Sequence, residues 1–337
     1  SYTGGLKSVL WTDFIQGCVL KAGIVFSLIF LISTINGGFG AIMSELTEGG
    51  KFLSSQEPIF NANIFKTSVF LLIVGGGLNT FSSYISSQDI VQRFTTTTDI
   101  KQLKKMTYGN LVLSLFVATV FYLIGTALYV FYNQNPQLLQ TAQQDQIFAS
   151  YIAFQLPVGI TGIVLAAIYA AAQSTLSTGL NSVATSWTLD IQNFITKDMS
   201  MEKQTKVAQY ISLGVGIASI IMAVILANGG VNSAYEWFNG FMGLVLGVLA
   251  GIFVLGIFFK KATKAGAYAG FIASAIAVVV CKYGGFDVSI WSYSIISIGV
   301  SVIVGMIVSL MTQSQLVDKK TLNEATIYYN ENEIVNN

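Results

Sequence analysis

Long apolar runs separated by short polar stretches set the rhythm of this chain. Leu111–Phe131, Gly159–Leu180, Val207–Ala227, Trp237–Phe259 and Trp291–Met311 are uncharged or nearly so, and each reaches the ~20 residues a helix needs to cross a bilayer. Two further runs are more polar: Gly5–Leu31 contains Asp13 and Lys21, and Ile64–Ser86 turns polar in its second half. Ala265–Cys281 completes a set of eight. The pattern predicts membrane helices over about 5–34, 64–87, 107–132, 157–193, 203–228, 233–259, 263–282 and 289–313. The outer loop 35–63 has room for a short surface helix near Ala41–Thr47, the inner loop 88–106 reads as partly helical, and Gln146–Gln155 is amphipathic enough to lie on the outer surface. The reading is a single transmembrane domain over 1–313 followed by a polar, acidic tail over 314–337.

Two stretches break the apolar rule. Val74–Ser87 reads VGGGLNTFSSYISS. Three consecutive glycines cost helix stability and free backbone groups that hydrocarbon cannot satisfy, so this segment is expected to line a cavity rather than lipid. Ala170–Ser182 reads AAAQSTLSTGLNS. Residues three and four apart share a helix face, so Ser174, Ser177 and Thr178 can aim three hydroxyls at one spot, and the carbonyl of Ala171 with Ser174 and Thr175 can aim at a second. Such oxygens suit a small hard cation. The same hydroxyls can instead bond their own i−4 carbonyls or serve as small residues between helices, and the pattern alone leaves both readings open.

Composition places the whole chain in the membrane class. It is 53% hydrophobic and 10% charged, with a mean hydropathy of +0.66, whereas a soluble domain carries about 25% charged residues. The net charge of +1 says nothing about partners, no nucleic acid is expected, and the lack of histidine excludes a histidine proton relay. Cys18 and Cys281 both fall in or beside apolar spans, against a disulfide framework. Threading the eight spans from Lys7 puts thirteen Lys and Arg residues on one side and three (Lys51, Lys66, Lys282) on the other. The positive-inside rule makes the first side cytoplasmic, and the tail with it. No metal-ligand cluster, phosphate loop or nucleophile with a base is visible, so an enzyme is not expected, nor an organic cofactor. The chain begins with serine and enters a membrane helix almost at once, and is read as part of a longer protein.

Four motifs in order resemble the sodium:solute symporter family. GGLKSVLWTDFIQ at Gly4–Gln16 resembles the family's GGL-x-AV-x-WTD-x-IQ segment, and SSQDIVQR at Ser86–Arg93 its D/NQ-x-x-VQR loop. The Ser/Thr helix resembles its S-[ST]-L-x-x-x-x-NS segment, and GIFFKKATKAGAYAG at Gly256–Gly270 its second signature. The resemblance implies an all-α leucine-transporter-like fold with two inverted five-helix repeats, whose first helices are broken at the midplane around the substrate. On that mapping the chain starts at the last helix of repeat one and carries all of repeat two and two further helices. The glycine-rich second span would be the broken helix of repeat two, and that of repeat one would lie outside the chain.

The resemblance also implies residue roles. Ala171, Ser174 and Thr175 match the sodium site shared across the fold. Asp13 with Ser174, Ser177 and Thr178 matches a second sodium site found in a subset that includes bacterial sialic acid transporters. Read without the family, Asp13 lies ~10 Å along its helix and is either a partnered buried carboxylate or one near the inner interface that favours the helix N-terminus. Lys21 could snorkel, bind an anion or neutralise Asp13. Thr80, Phe81, Ser83 and Tyr84 occupy the stretch where sugar-carrying relatives place an amide and an aromatic gate, and Tyr235 and Asn239 fall at a second such pair. Asn239 could equally be a polar contact between helices, and Tyr235 and Trp237 interfacial belt residues. Gln88, Asp89, Gln92 and Arg93 read as an inner-loop network rather than substrate ligands.

The expected function is sodium-driven symport of a small organic solute, with Na+ as coupling ion, in the cell membrane and as a monomer. The second-ion set and the SSQD-VQRF-TTT loop most resemble the sialic acid branch. A neutral sugar, a monocarboxylate or an amino acid such as proline are the alternative solutes, and a transport-inactive sensor or a channel-like relative the alternative class.

Overall fold

The computed structural model describes residues 5–49, 58–97, 99–141, 143–196, 199–228 and 233–312. All regular structure among them is helical: α1 (Gly5–Thr34), α2 (Gly38–Thr47), α3 (Val69–Ser86), α4 (Gln88–Phe94), α5 (Ile100–Gln134), α6 (Gln144–Phe154), α7 (Val158–Ser186), α8 (Asn193–Ile195), α9 (Met201–Asn228), α10 (Ala234–Phe258), α11 (Lys264–Tyr283) and α12 (Tyr293–Met311). Eight are long and apolar enough to span a membrane, in the order the sequence predicts. The surface helices α2 and α6 and the partly helical inner loop also form where expected. The tail 314–337 lies outside the described residues.

The chain divides into two compact units, one of residues 1–55 and 92–233, the other of 56–91 and 234–337. In the first, α1 runs along α7, and the approach is close enough that a Cβ at Gly23 would come within 2.6 Å of the Ala167 methyl. Toward the far end of α1, Leu31, Ile35 and Ile42 are buried with Ile124, Ala127, Phe131 and Tyr151 of α5 and α6. Phe131 and Tyr151 meet edge to face at 5.2 Å. The turn after α1 is clamped by Gln134, whose amide accepts from the Asn36 N–H at 2.9 Å and donates to the Asn36 carbonyl at 3.0 Å. α7 runs on into a wider π turn at Trp187–Gln192.

The second unit packs α3, α10, α11 and α12 through small residues. Helices in lipid have no hydrophobic drive to associate and rely on close backbone approach and interhelical hydrogen bonds. α12 carries Ser294, Ser297, Ser301 and Ser309, all buried. A Cβ at Gly247 would run into the Ser297 hydroxyl, one at Gly251 into Ser301, and one at Gly266 into Ser309. Ser274 donates to the Ser297 carbonyl at 2.8 Å, and the Thr263 N–H donates to the Ser309 hydroxyl at 3.1 Å.

One feature of α3 differs from expectation. The helix is continuous through Gly75–Gly77, and the interruption comes at Ser87, where the backbone turns extended (φ −83°, ψ 119°) before α4 begins. Gly75 answers a packing demand instead, while a Cβ at Gly77 would meet nothing within 4 Å. A Cβ at Gly75 would collide with the Trp291 carbonyl, and one at Gly76 would lie 3.6 Å from the Trp291 ring.

This packing makes a direct prediction. Gly247→Val should destabilise the protein by about 1–3 kcal/mol through overpacking, whereas Gly256→Ala on the same helix, with nothing within 4 Å of the added methyl, should leave it unchanged or slightly more stable. Thermal unfolding of the two variants in detergent checks this.

Candidate functional site

The antiparallel run of α1 against α7 brings one carboxylate to the hydroxyl cluster. Ser174 donates to Asp13 Oδ1 at 2.7 Å, and Thr178, one turn on, donates to Asp13 Oδ2 at 3.1 Å. Arg93, in the last turn of α4, completes the group: its Nη2 lies 2.6 Å from Asp13 Oδ2 and 3.0 Å from Thr178 Oγ1. The Thr178 hydroxyl therefore gives its proton to the carboxylate and accepts one from the guanidinium. The Asp13 side chain is 13% exposed and that of Arg93 42%. A carboxylate this far from water needs such partners, because an unpaired buried charge is strongly destabilising.

The other α7 residues expected to bind sodium bond within their own helix. Thr175 donates to the Ala171 carbonyl at 3.0 Å, so the two oxygens expected to act together are adjacent. Ser177 donates to the Ser174 carbonyl at 3.0 Å and does not bond Asp13. One turn from Asp13, the buried Gln16 Oε1 accepts no hydrogen bond among the described residues. One turn from Thr178, Asn181 donates to Gln92 Oε1 at 3.3 Å, a second tie from α7 to α4. Lys21 forms no ion pair among the described residues, its ammonium lying 4.0 Å from where a Gly17 Cβ would be. Arg93, not Lys21, neutralises Asp13.

The candidate substrate residues lie in the second unit. α3 packs with Leu71, Gly75, Asn79 and Ser82 buried, while Gly77, Thr80 and Phe81 are exposed and Tyr84 half-buried on another face. Thr80 and Ser83 donate to their own i−4 carbonyls, of Gly76 and Asn79, at 3.0 and 3.2 Å. Asn239 faces inward to a relay: Asn79 donates to its Oδ1 at 3.1 Å, Ser294 donates to Asn79 Oδ1 at 3.2 Å, and Asn239 donates to the Tyr235 carbonyl at 2.9 Å. Tyr235 is exposed and tilted against Trp291, ring centroids 6.4 Å apart.

A family model for the sodium:solute symporters matches residues 1–274. The chain belongs to the sodium:solute symporter family. It is 34% identical over 309 residues to the sodium/sialic acid symporter SiaT of Proteus mirabilis, covering 91% of this chain and 62% of that one. It is 30% identical over 317 residues to the sodium/sialic acid symporter NanT of Aliivibrio fischeri, covering 94% and 62%. The chain thus spans just under two thirds of the length of these relatives. Among solved structures it resembles a substrate-bound, outward-open Na+-coupled sialic acid symporter for which a novel Na+-site is described, at 33% identity and a TM-score of 0.83 over 92% of this chain and 63% of that one. The leucine-transporter-like fold expected from the sequence is the fold of this symporter-family chain.

Two residues of these networks escape a sequence reading. The sequence places Arg93 in an inner-loop network, yet it reaches the Asp13 cluster. The available signal was that it is the one arginine among seventeen basic residues, and guanidinium suits a two-acceptor contact better than ammonium. Asn79 carried no motif, and its role follows only from which face of α3 is buried. Asn79→Leu should leave the Ser294 hydroxyl and the Asn239 amide without their partner and cost about 1–3 kcal/mol. A thermal midpoint equal to wild type would show the relay to be dispensable.

Proposed function

We propose that this chain is the greater part of a sodium-coupled symporter that imports sialic acid by alternating access, in the cell membrane, as a monomer with a cytoplasmic C-terminal tail. The observation that carries the reading is the α1–α7 cluster: a largely buried carboxylate held by Ser174 and Thr178, in a chain whose similar proteins include two sodium/sialic acid symporters. Ala171, Ser174 and Thr175 would hold one sodium ion, completed by carbonyls of a helix outside this chain. Asp13, Ser174, Ser177 and Thr178 would hold a second. Thr80, Phe81 and Tyr84 lie on a face of α3 that the second unit does not bury, which supports a role toward the substrate, with Ser83, Tyr235 and Asn239 alongside. The glycine-rich α3 would serve as the broken helix of repeat two, its break at Ser87. The repeats would together form one transmembrane domain over 1–313.

Energetics favour two ions for an acidic solute. One charge crossing 100 mV is worth about 2.3 kcal/mol, and a tenfold gradient adds about 1.4 kcal/mol. Two sodium ions supply roughly 7 kcal/mol, of which a monoanion moving against the potential returns about 2.3 kcal/mol. The remaining ~5 kcal/mol supports on the order of a thousandfold accumulation. A single ion would leave only ~1.4 kcal/mol for the same anion, about tenfold.

Uptake of labelled sialic acid into proteoliposomes of the full-length protein tests this. Uptake should require an inward sodium gradient and rise with a Hill coefficient near two, and Asp13→Asn should bring that coefficient towards one. Ser174→Ala, common to both ion sets, should weaken sodium dependence more than Thr175→Ala or Ser177→Ala. Sodium-driven uptake of a neutral sugar or proline with none of sialic acid would overturn the substrate assignment.

A further inference from the structure

Asp13 Oδ2 already has a cation. Arg93 Nη2 lies 2.6 Å from it and 3.0 Å from Thr178 Oγ1, so the guanidinium occupies the space between two of the four side chains assigned to the second sodium ion. The Thr178 proton points to Asp13 and one of its lone pairs to Arg93. A sodium ion bound by Asp13 Oδ2 and Thr178 Oγ1 would take up the same space, at an ion-to-oxygen distance comparable to the ~2.3–2.6 Å of other hard cations. Two positive charges cannot share this position.

We propose that Arg93 is a tethered competitor for the second ion: it fills the Asp13 site when sodium is absent and sodium displaces it. The inference rests on the assignment of Asp13, Ser174, Ser177 and Thr178 as that site. Three observations carry it. The Arg93 side chain is 42% exposed while that of Asp13 is 13% exposed, so the guanidinium has room to swing away, whereas the carboxylate cannot be left unpaired without a large penalty. Arg93 is the only arginine of the chain, and its long stem lets the charged head move while the backbone stays in place. Its neighbour Gln92 holds α4 to α7 separately, through Asn181, so α4 has a second anchor when Arg93 lets go.

The arrangement acts on affinity and on coupling. An internal competitor lowers the apparent sodium affinity by the fraction of time the site is free, which favours release where sodium is scarce. As the ion leaves, Arg93 returns and Asp13 stays neutralised.

Binding of labelled sodium to the purified full-length protein tests the proposal, comparing wild type, Arg93→Gln, Asp13→Asn and the double variant. Arg93→Gln should tighten one of two binding events by about tenfold, the ratio for a site that Arg93 fills about nine-tenths of the time. Asp13→Asn should abolish that event in either background. An unchanged or weakened event in Arg93→Gln would make Arg93 a strut or a helper and overturn the proposal. Two intact events in Asp13→Asn would instead remove the second-site assignment itself, and the competitor with it. A measurement on wild type needs no variant to fold. Phenylglyoxal modification of the Arg93 peptide, read by mass spectrometry, should rise severalfold when sodium replaces potassium, and protection by sodium or no change would overturn the proposal.

Discussion

The constraint on which the site depends is that the carboxylate of Asp13, set into a membrane helix, must never be without a positive or proton-donating partner. Everything close to it follows from that demand. Ser174 and Thr178 are spaced one turn apart on α7 so that both can donate to it. α1 and α7 approach closely enough at Gly23 and Ala167 for short side chains to bridge the gap. Arg93 closes the charge balance from the end of a short helix. A serine or threonine reaches only a few ångströms from its helix, so the cluster exists only because small residues at the α1–α7 contact let the backbones approach.

The second unit solves a different problem by similar means. Its serines and glycines interlock α10, α11 and α12, and the Asn79–Asn239–Ser294 relay ties α3 to that group. Here most of the described polar side chains are spent on one another or on backbone, the buried Ser301 hydroxyl being an exception, as buried amides and hydroxyls in hydrocarbon generally are. Around Asp13, by contrast, the polar atoms converge on one ionised group and leave lone pairs over. Both units read as runs of small polar residues in apolar helices, and the difference between them is where the donors point.

Much of this was legible in the sequence, and what was not has a physical reason. The eight spans follow from apolar length, which the bilayer thickness fixes, though α3 begins at Val69 and α5 at Ile100 rather than at about 64 and 107. The short helices α2 and α6 form where the 35–63 loop had room for one and where Gln146–Gln155 reads as amphipathic. The position of the break after α3 was not legible, because consecutive glycines mark either a weak helix or a close approach, and only the neighbour decides. Here the Trp291 carbonyl decides for approach, and the chain turns at Ser87 instead. Arg93 was read as a loop residue because its partner is eighty positions away, and spacing rules reach only one or two helical turns.

The two readings of the Ser/Thr helix left open by its pattern turn out to be compatible. Thr175 and Ser177 donate to the carbonyls of Ala171 and Ser174, the self-bonding expected of hydroxyls in an apolar helix. A hydroxyl has one proton and two lone pairs, so donating that proton to its own helix satisfies the donor and leaves both lone pairs for a cation. An ion site built this way carries no unsatisfied donors when the ion is gone. The acceptors left over are hydroxyl and carbonyl lone pairs, which are cheaper to leave underused than a buried N–H. The one full charge, on Asp13, is the single group that cannot be left so, and it is the group to which the structure supplies an arginine. On the proposed reading, weakly held neutral ligands and one carboxylate with its own replacement cation would make a site that can fill and empty without the helix pair coming apart, as a site that cycles with a sodium gradient must.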